Sequence, residues 1–301
     1  MKSSKKCENI TIISYNLMGD ILKKIFESIG LLSLICFGFF YTEKISTVLK
    51  DNDDILKQIK QIENQYKVDA IDAIVEGNTI IPGVSGSVID VNKSYKKMKK
   101  INSFNDNLIV YKTIKPNISV NKVYDKYIIS GNKNKKEVAL IFLVNDKDNI
   151  SDIISILDEK EVLTTFFTDG YWFENNNDLV LELIDRGHII GNLGYLNKYS
   201  NDTTKWMNTI IKRVGNQENT YCYNIDSDEN LKVCNDNNSY TIRPNLIVKN
   251  NPLIEVKNNL NNGSIIALDI NDITIKQLPL ILDYIDSKGL DLITLENLID
   301  E

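Results

Sequence analysis

The chain has 301 residues, a formal net charge of −6, and 43% hydrophobic against 25% charged residues. That is an ordinary globular composition with room for one large domain or two small ones. The acidic balance excludes a generic nucleic-acid binder, whose phosphate contacts need a basic surface. The single histidine excludes, within one chain, two-histidine zinc sites and HExxH proteases.

Residues 1–24 are basic, with Lys2, Lys5, Lys6, Lys23 and Lys24 against Glu8 and Asp20. They precede Ile25–Tyr41, a run of 17 residues interrupted only by Glu27. Its length meets the lower edge of the ~17–25 residues a spanning helix needs. It predicts a transmembrane anchor rather than the competing buried core helix. Lysines before it and Asp51, Asp53 and Asp54 after it place the N-terminus in the cytoplasm and the body outside. No A-x-A cleavage site follows, so a retained signal-anchor is expected. Cys7 and Cys36 then fall in the cytoplasm and the membrane. Cys222 and Cys234 fall outside, where disulfides persist. Their spacing of twelve allows a bridge without demanding one, and both states stay open.

Residues 42–66 read as a helical stalk. Ile45, Val48, Asn52, Ile55, Ile59, Ile62 and Tyr66 recur at alternating steps of three and four. The seam suits a single amphipathic helix packed on the body, or a parallel homodimer with Asn52 setting its register.

Residues 67–135 predict a small mixed α/β region. Gly77-Asn78, Pro82-Gly83 and Gly86 punctuate short apolar runs. A lysine-rich helix is expected near Tyr95–Lys100, with strands near Leu108–Lys112 and Tyr127–Ser130. Lys96, Lys97, Lys99 and Lys100 form a solvated face or an anion-contacting one.

From 136 to 301 apolar runs alternate with helical faces. Val138–Val144 reads as a strand buried on both sides. A helical face at Ile150, Ile153, Ile154 and Leu157 follows, then a strand at Leu163–Phe167. Leu179–Ile184 is a helix closed by Gly187, and His188–Gly191 a third strand. A helix near Thr203–Val214, strands near Thr220–Asn224 and Ile265–Leu268, and a helix over Leu278–Ile285 closed by Gly289 come next. Thr294 is placed to cap the last helix. This alternation predicts parallel pairing and an α/β sheet or barrel.

The order of residues over 137–300 resembles the polysaccharide deacetylase (NodB homology) family. Thr164-Thr165-Phe166-Phe167, Gly170, Asn177-Asp178-Leu179-Val180 and Arg186-Gly187-His188-Ile189-Ile190-Gly191-Asn192 match that family's strand, glycine, helix start and R-G-H-x-I-G-N segment. The resemblance implies a distorted (β/α)7-type barrel. In the family a divalent metal held by Asp-His-His polarises the amide carbonyl of an N-acetyl sugar and acidifies a water. An aspartate and a further histidine move the protons.

This chain departs from that pattern. Leu143 and Val144 stand where the family has T-F-D-D-G carboxylates, and Leu193 and Asn197 stand at its two ligand histidines. Asp269 replaces its acid histidine. R-P-P-Y is absent near Tyr221–Asn224, and Arg243-Pro244 lies about one strand too late. His188 matches a position that is not a ligand. Asp146, Asp148 and Asp269 could gather at strand ends as a carboxylate cluster, or stand as solvated loop acids.

The expectation is therefore a membrane-anchored extracytoplasmic pseudoenzyme without catalytic residues, metal or cofactor, binding peptidoglycan or another wall glycan or scaffolding wall proteins. Tyr171, Trp172, Phe173 and Tyr195 are candidate groove residues that stack on sugars or close the barrel. The alternatives are an active deacetylase or other hydrolase with a rebuilt site, and a structural ectodomain dimerising through its stalk.

Overall fold

The structure, a computed structural model, describes residues 28–33, 35–37, 53–145 and 150–301. Most of the expected anchor, the seam positions Ile45, Val48 and Asn52, and both Asp146 and Asp148 lie outside the described residues. Residues 28–33 and 35–37 are helical. Among the described residues no helix is long and apolar enough to cross a membrane.

The described chain forms two compact units. One contains the residues up to Lys67 with Val88–Lys112, the other Val68–Ser87 with Thr113–Glu301. In the first, α1 (Asp54–Glu63) packs on α2 (Val91–Ile101). Asp53 caps α1 by accepting the Ile55 N–H at 2.9 Å, and its carboxylate also takes the Lys99 ammonium at 2.6 Å. That hydrogen bond to Lys99 holds the Asp53 carboxyl below its usual range. Ile55 and Ile59 of the predicted seam are buried here against Ile89 and Met98. These two seam positions therefore pack within the chain, as the single-helix reading expects, and are not available to a second copy. Lys96, Lys97 and Lys100 are exposed on α2.

The second unit is built on one sheet. In chain order its strands are β1 (Ile74–Glu76), β2 (Thr79–Ile81), β5 (Tyr127–Ile128), β6 (Glu137–Val144), β7 (Thr165–Thr168), β8 (Ile189–Asn192), β9 (Tyr221–Tyr223), β10 (Tyr240–Ile242), β11 (Leu246–Ile247), β12 (Ile265–Asp269) and β13 (Asp291–Leu292). Two further short strands, β3 (Gly86–Ile89) and β4 (Tyr111–Ile114), pair separately. The main sheet runs β1-β2-β5-β10-β9-β8-β7-β6-β12-β11, with β13 beside β6. All its recorded pairings are parallel except β1 with β2.

The expected barrel is a half-barrel, because β1 and β11 end the strand order without pairing each other. The expected boundary at 135/136 is not a boundary between units. β5 pairs with β10 and β2 with β5, so three strands of the predicted small region extend the same sheet. Strands of two or three residues carry no pattern that names such distant partners.

β6 is the longest strand because EVALIFLV is apolar on both faces. Val138, Leu140, Phe142 and Val144 face the helical layer, while Ala139, Ile141 and Leu143 face the opposite apolar cluster. The helical layer includes α3 (Ser151–Glu159), α4 (Gly170–Asn175), α5 (Asn177–Asp185), α6 (Asn201–Val214), α7 (Asp228–Asp236), α8 (Pro252–Asn259) and α9 (Asp272–Ser287), whereas α10 (Leu295–Ile299) packs Leu295, Leu298 and Ile299 into the opposite cluster. Thr294 caps α10 as predicted, accepting the Asn297 N–H at 3.4 Å. Gly187 and Gly289 adopt φ of +89° and +64°, the left-handed conformation that ends a helix at little cost only for glycine.

Candidate functional site

In parallel α/β sheets, residues after the carboxyl ends of the strands converge on one rim, where sites are built. Here that rim carries the positions aligned with the family's motifs. Leu143 on β6 is in register with Phe167 on β7 and Asp269 on β12. Leu143, Phe167 and Leu193 belong to one buried apolar cluster, with Tyr223 packed against it. Val144 faces the other way, into the helical layer. The floor of the rim is thus hydrocarbon. Asp269 is exposed at its edge and contributes, after burial, to pushing the Tyr223 phenol up to about 12.

The segment after β8 is a hairpin. Tyr195 N–H donates to the Lys198 carbonyl at 2.8 Å, and Lys198 N–H donates back at 3.1 Å. Leu196 and Asn197 between them have φ of +50° and +59°, the paired left-handed turn that suits a two-residue hairpin. Gly194, at φ +91°, admits no side chain, since a Cβ would sit 2.9 Å from the Lys198 carbonyl oxygen. Two residues four apart share a face on an uninterrupted helix or strand, and the turn here interrupts both. In this hairpin Leu193 is buried in the sheet's apolar face and Asn197 is exposed at the tip.

Asp169 fixes this arrangement. Its side chain is buried at the end of β7. One carboxylate oxygen accepts the Tyr171 N–H, capping α4, and the other accepts the Asn197 N–H, both at 2.9 Å. Asp169 is not among the candidates the sequence offers. Its signal was an Asp-Gly pair closing a β-rich run, a helix N-cap pattern. Tyr199 makes a second fastening. Its hydroxyl lies 2.7 Å from the carbonyl oxygens of Asn192 and Tyr223, sharing its proton, and accepts the Tyr223 N–H at 3.1 Å. It thereby ties β8 to β9, and burial pushes its pKa far above the ordinary phenol range.

Of the four candidate groove residues, Trp172 and Phe173 are 1% and 3% exposed and belong to the helical-layer core. They are packing residues, the second of the two roles the sequence left open. α4 is one short helix, so three consecutive aromatics cannot all face outward. Tyr171 is exposed and Tyr195 half-buried. Their rings meet edge to face at 6.3 Å, and Tyr195 meets Trp206 of α6 at 6.2 Å. The Tyr195 hydroxyl donates to Glu174 at 2.8 Å. Trp206, missed in the sequence, is the third ring of this patch and is exposed.

A divalent metal does not fit these residues. Leu143, Val144 and Leu193 have no donor atom, and among the described residues no group of three His, Cys, Asp or Glu side chains could hold one. Arg243 follows β10, one strand past β9, and stacks on the Tyr127 ring at 4.8 Å. His188 precedes β8, at the opposite end of the strands from the rim. Its Nδ1 accepts the Thr164 N–H at 3.3 Å. Cys222 and Cys234 are joined in a disulfide between β9 and α7.

Residues 130–223 match the family model of polysaccharide deacetylase. It is 31% identical over 153 residues to the uncharacterized protein YlxY of Bacillus subtilis (strain 168), covering 50% of this chain and 47% of that one. It is also 36% identical over 76 residues, 24% of this chain and 28% of the other, to an uncharacterized 30.6 kDa protein of Geobacillus stearothermophilus. The chain thus spans about half, or less, of the length of these curated relatives. Among solved structures, BA3943 of Bacillus anthracis, a CE4 family pseudoenzyme, aligns with a TM-score of 0.63 at 23% identity, over 83% of this chain and 96% of that one. A BA3943 mutant with restored enzymatic activity aligns at 0.64 and 23% identity, over 83% and 99%. PdaA of Bacillus subtilis, a family 4 carbohydrate esterase, aligns at 0.51 and 20%, over 60% and 86%. The half-barrel is the fold of the CE4 deacetylases.

Proposed function

We propose that this protein is a membrane-tethered, extracytoplasmic member of the deacetylase fold that binds wall glycan without hydrolysing it. The observation that carries the reading is the segment from Leu193 to Lys198. It puts an aliphatic side chain and a hairpin where the family resemblance requires two histidines, and Asp169 locks that backbone in place. The resemblance to a pseudoenzyme of the same fold agrees with this. The exposed rings of Tyr171 and Trp206, both in edge contact with half-buried Tyr195, supply an apolar patch beside polar groups, suited to the faces of sugar rings.

The tether rests on the sequence of Ile25–Tyr41 and on the exposure of Ile29, Leu31, Leu32, Ile35 and Phe37, which water would not favour. The Cys222–Cys234 disulfide favours an oxidising compartment. Dimerisation through the stalk is not part of the proposal, since Ile55 and Ile59 are already buried within the chain.

The test uses the full chain in non-ionic detergent, co-sedimented with cell-wall sacculi and assayed for acetate release with added zinc or cobalt. Sedimentation without acetate is expected, and Y171A/W206A should weaken it about tenfold without a change in thermal midpoint beyond a few degrees. Stoichiometric zinc together with acetate release would sink the reading. Sedimentation unaffected by Y171A/W206A would remove the aromatic patch from it.

A further inference from the structure

The loops before β6 and β12 and the last turns of α9 enclose an open cavity of about 800 Å³ at the amino ends of the strands. This is the opposite end of the sheet from the rim described above. Its walls include Lys133, Lys257, Lys288, Tyr284 and asparagine side chains, and no acidic residue. The Lys257 and Lys288 ammoniums lie 5.5 and 5.0 Å from the centre of the Tyr284 ring. The Tyr284 hydroxyl donates to the Lys257 carbonyl at 3.3 Å, and the Asn262 amide donates to the Lys133 carbonyl at 3.1 Å, so side chains tie the walls together.

Among the described residues none of the three lysines makes an ion pair. Lys135 and Lys160, by contrast, pair with Glu137 and Asp283. In a chain of net charge −6, this cavity gathers three ammoniums and no acidic side chain. The Tyr284 ring attracts two of them through its quadrupole, but it cancels neither charge. A bound anion offsets the repulsion among like charges gathered on one cavity.

Lysines are point charges on flexible stems, without the planar fork with which arginine grips a carboxylate. Several of them converging on one volume suit a multiply charged tetrahedral oxyanion. We propose that this cavity binds a phosphate-bearing anion, carried either by a soluble molecule or by a lipid headgroup.

Calorimetric titration of the full chain with inorganic pyrophosphate, in non-ionic detergent at low salt, tests the site. Saturable binding of one equivalent is expected. It should weaken about tenfold in K257Q/K288Q, weaken with added salt, and stay unchanged in K96Q/K97Q on α2. Absence of saturable binding overturns the proposal, as does equal binding in wild type and K257Q/K288Q, or equal loss in both double variants. Repeating the pyrophosphate titration with phosphatidylglycerol mixed into the detergent micelles, against phosphatidylcholine in the same amount, then separates the sources. Competition by phosphatidylglycerol alone assigns a headgroup. Pyrophosphate binding unchanged by either lipid assigns a soluble phosphate.

Discussion

His188 shows what this chain does with its one imidazole. The side chain is 4% exposed, packs edge-on against Phe166, and is held neutral by desolvation, which lowers its pKa from 6.5 to about 4. Asp158 pulls the value up and Arg186 pushes it down, both less than burial does. The unfolded chain takes a proton at this residue below about pH 6.5, whereas the folded chain resists until about pH 4. The stability it supports is therefore fully present above pH 6.5 and is lost as pH falls toward 4. The loss is on the order of 2–3 kcal/mol. Urea unfolding at pH 7.5 and 4.5 should show a smaller pH difference in His188→Gln than in wild type. Carboxylates titrate in both proteins and cancel in the comparison. Identical pH differences would refute the assignment. The single histidine was legible in the sequence as a non-ligand. Its neutrality was not, because burial at the start of β8 depends on Phe166 and on the Thr164 backbone from the neighbouring strand.

At the scale of elements, the alternation from 137 onward was readable because each strand and helix carries its own period, and caps such as Thr294, Gly187 and Gly289 are local chemistry. The hairpin Tyr195–Lys198 was not readable as a hairpin. Asn197 tolerates a left-handed φ, but Leu196 pays a steric cost there, and what holds the turn is Asp169, far back in the chain. The aromatic run after β7 could not be divided from sequence alone. Whether a ring faces the core or the solvent depends on where the short helix α4 starts, and Trp206 reaches the same patch from α6. The disulfide belongs to this scale too. Cys222 in β9 and Cys234 in α7 are both fully buried and close a strand–helix unit with a sequence separation of 12. A loop of that length constrains the unfolded chain by about 3 kcal/mol in the chain-entropy model. Reductant should lower the urea midpoint of the wild type by a corresponding amount and leave C222A/C234A unchanged. A wild-type midpoint insensitive to full reduction would show that the bridge adds nothing.

At the scale of the whole sheet, the two-residue strand β5 carries the attachment of β2 and β1, and helpers outside the ladder reinforce it. The Glu301 carboxylate accepts the Gly83 N–H at 2.6 Å and the Val120 N–H at 3.0 Å, and also the Ser119 hydroxyl. Asn132 donates its side-chain amide to the Pro82 carbonyl at 2.8 Å. Gly83 and Val120 flank the segment whose backbone pairs at Ala73–Ile118 and Ile71–Val84. Glu301 thus joins two loops that the short ladder alone would hold weakly. Glu301→Ala leaves two backbone donors and a hydroxyl without their acceptor, at a cost of roughly 1–3 kcal/mol. Glu301→Gln keeps one acceptor oxygen for the backbone and offers an amide to the Ser119 oxygen, so it should cost less. Hydrogen exchange locates the effect. In Glu301→Ala the amides of Gly83, Val84 and Val120 should lose protection, while those of β6 and β12, far from this edge in the strand order, keep theirs. Uniform loss across the sheet would mean that this edge unfolds only with the whole and that the clamp has no local role.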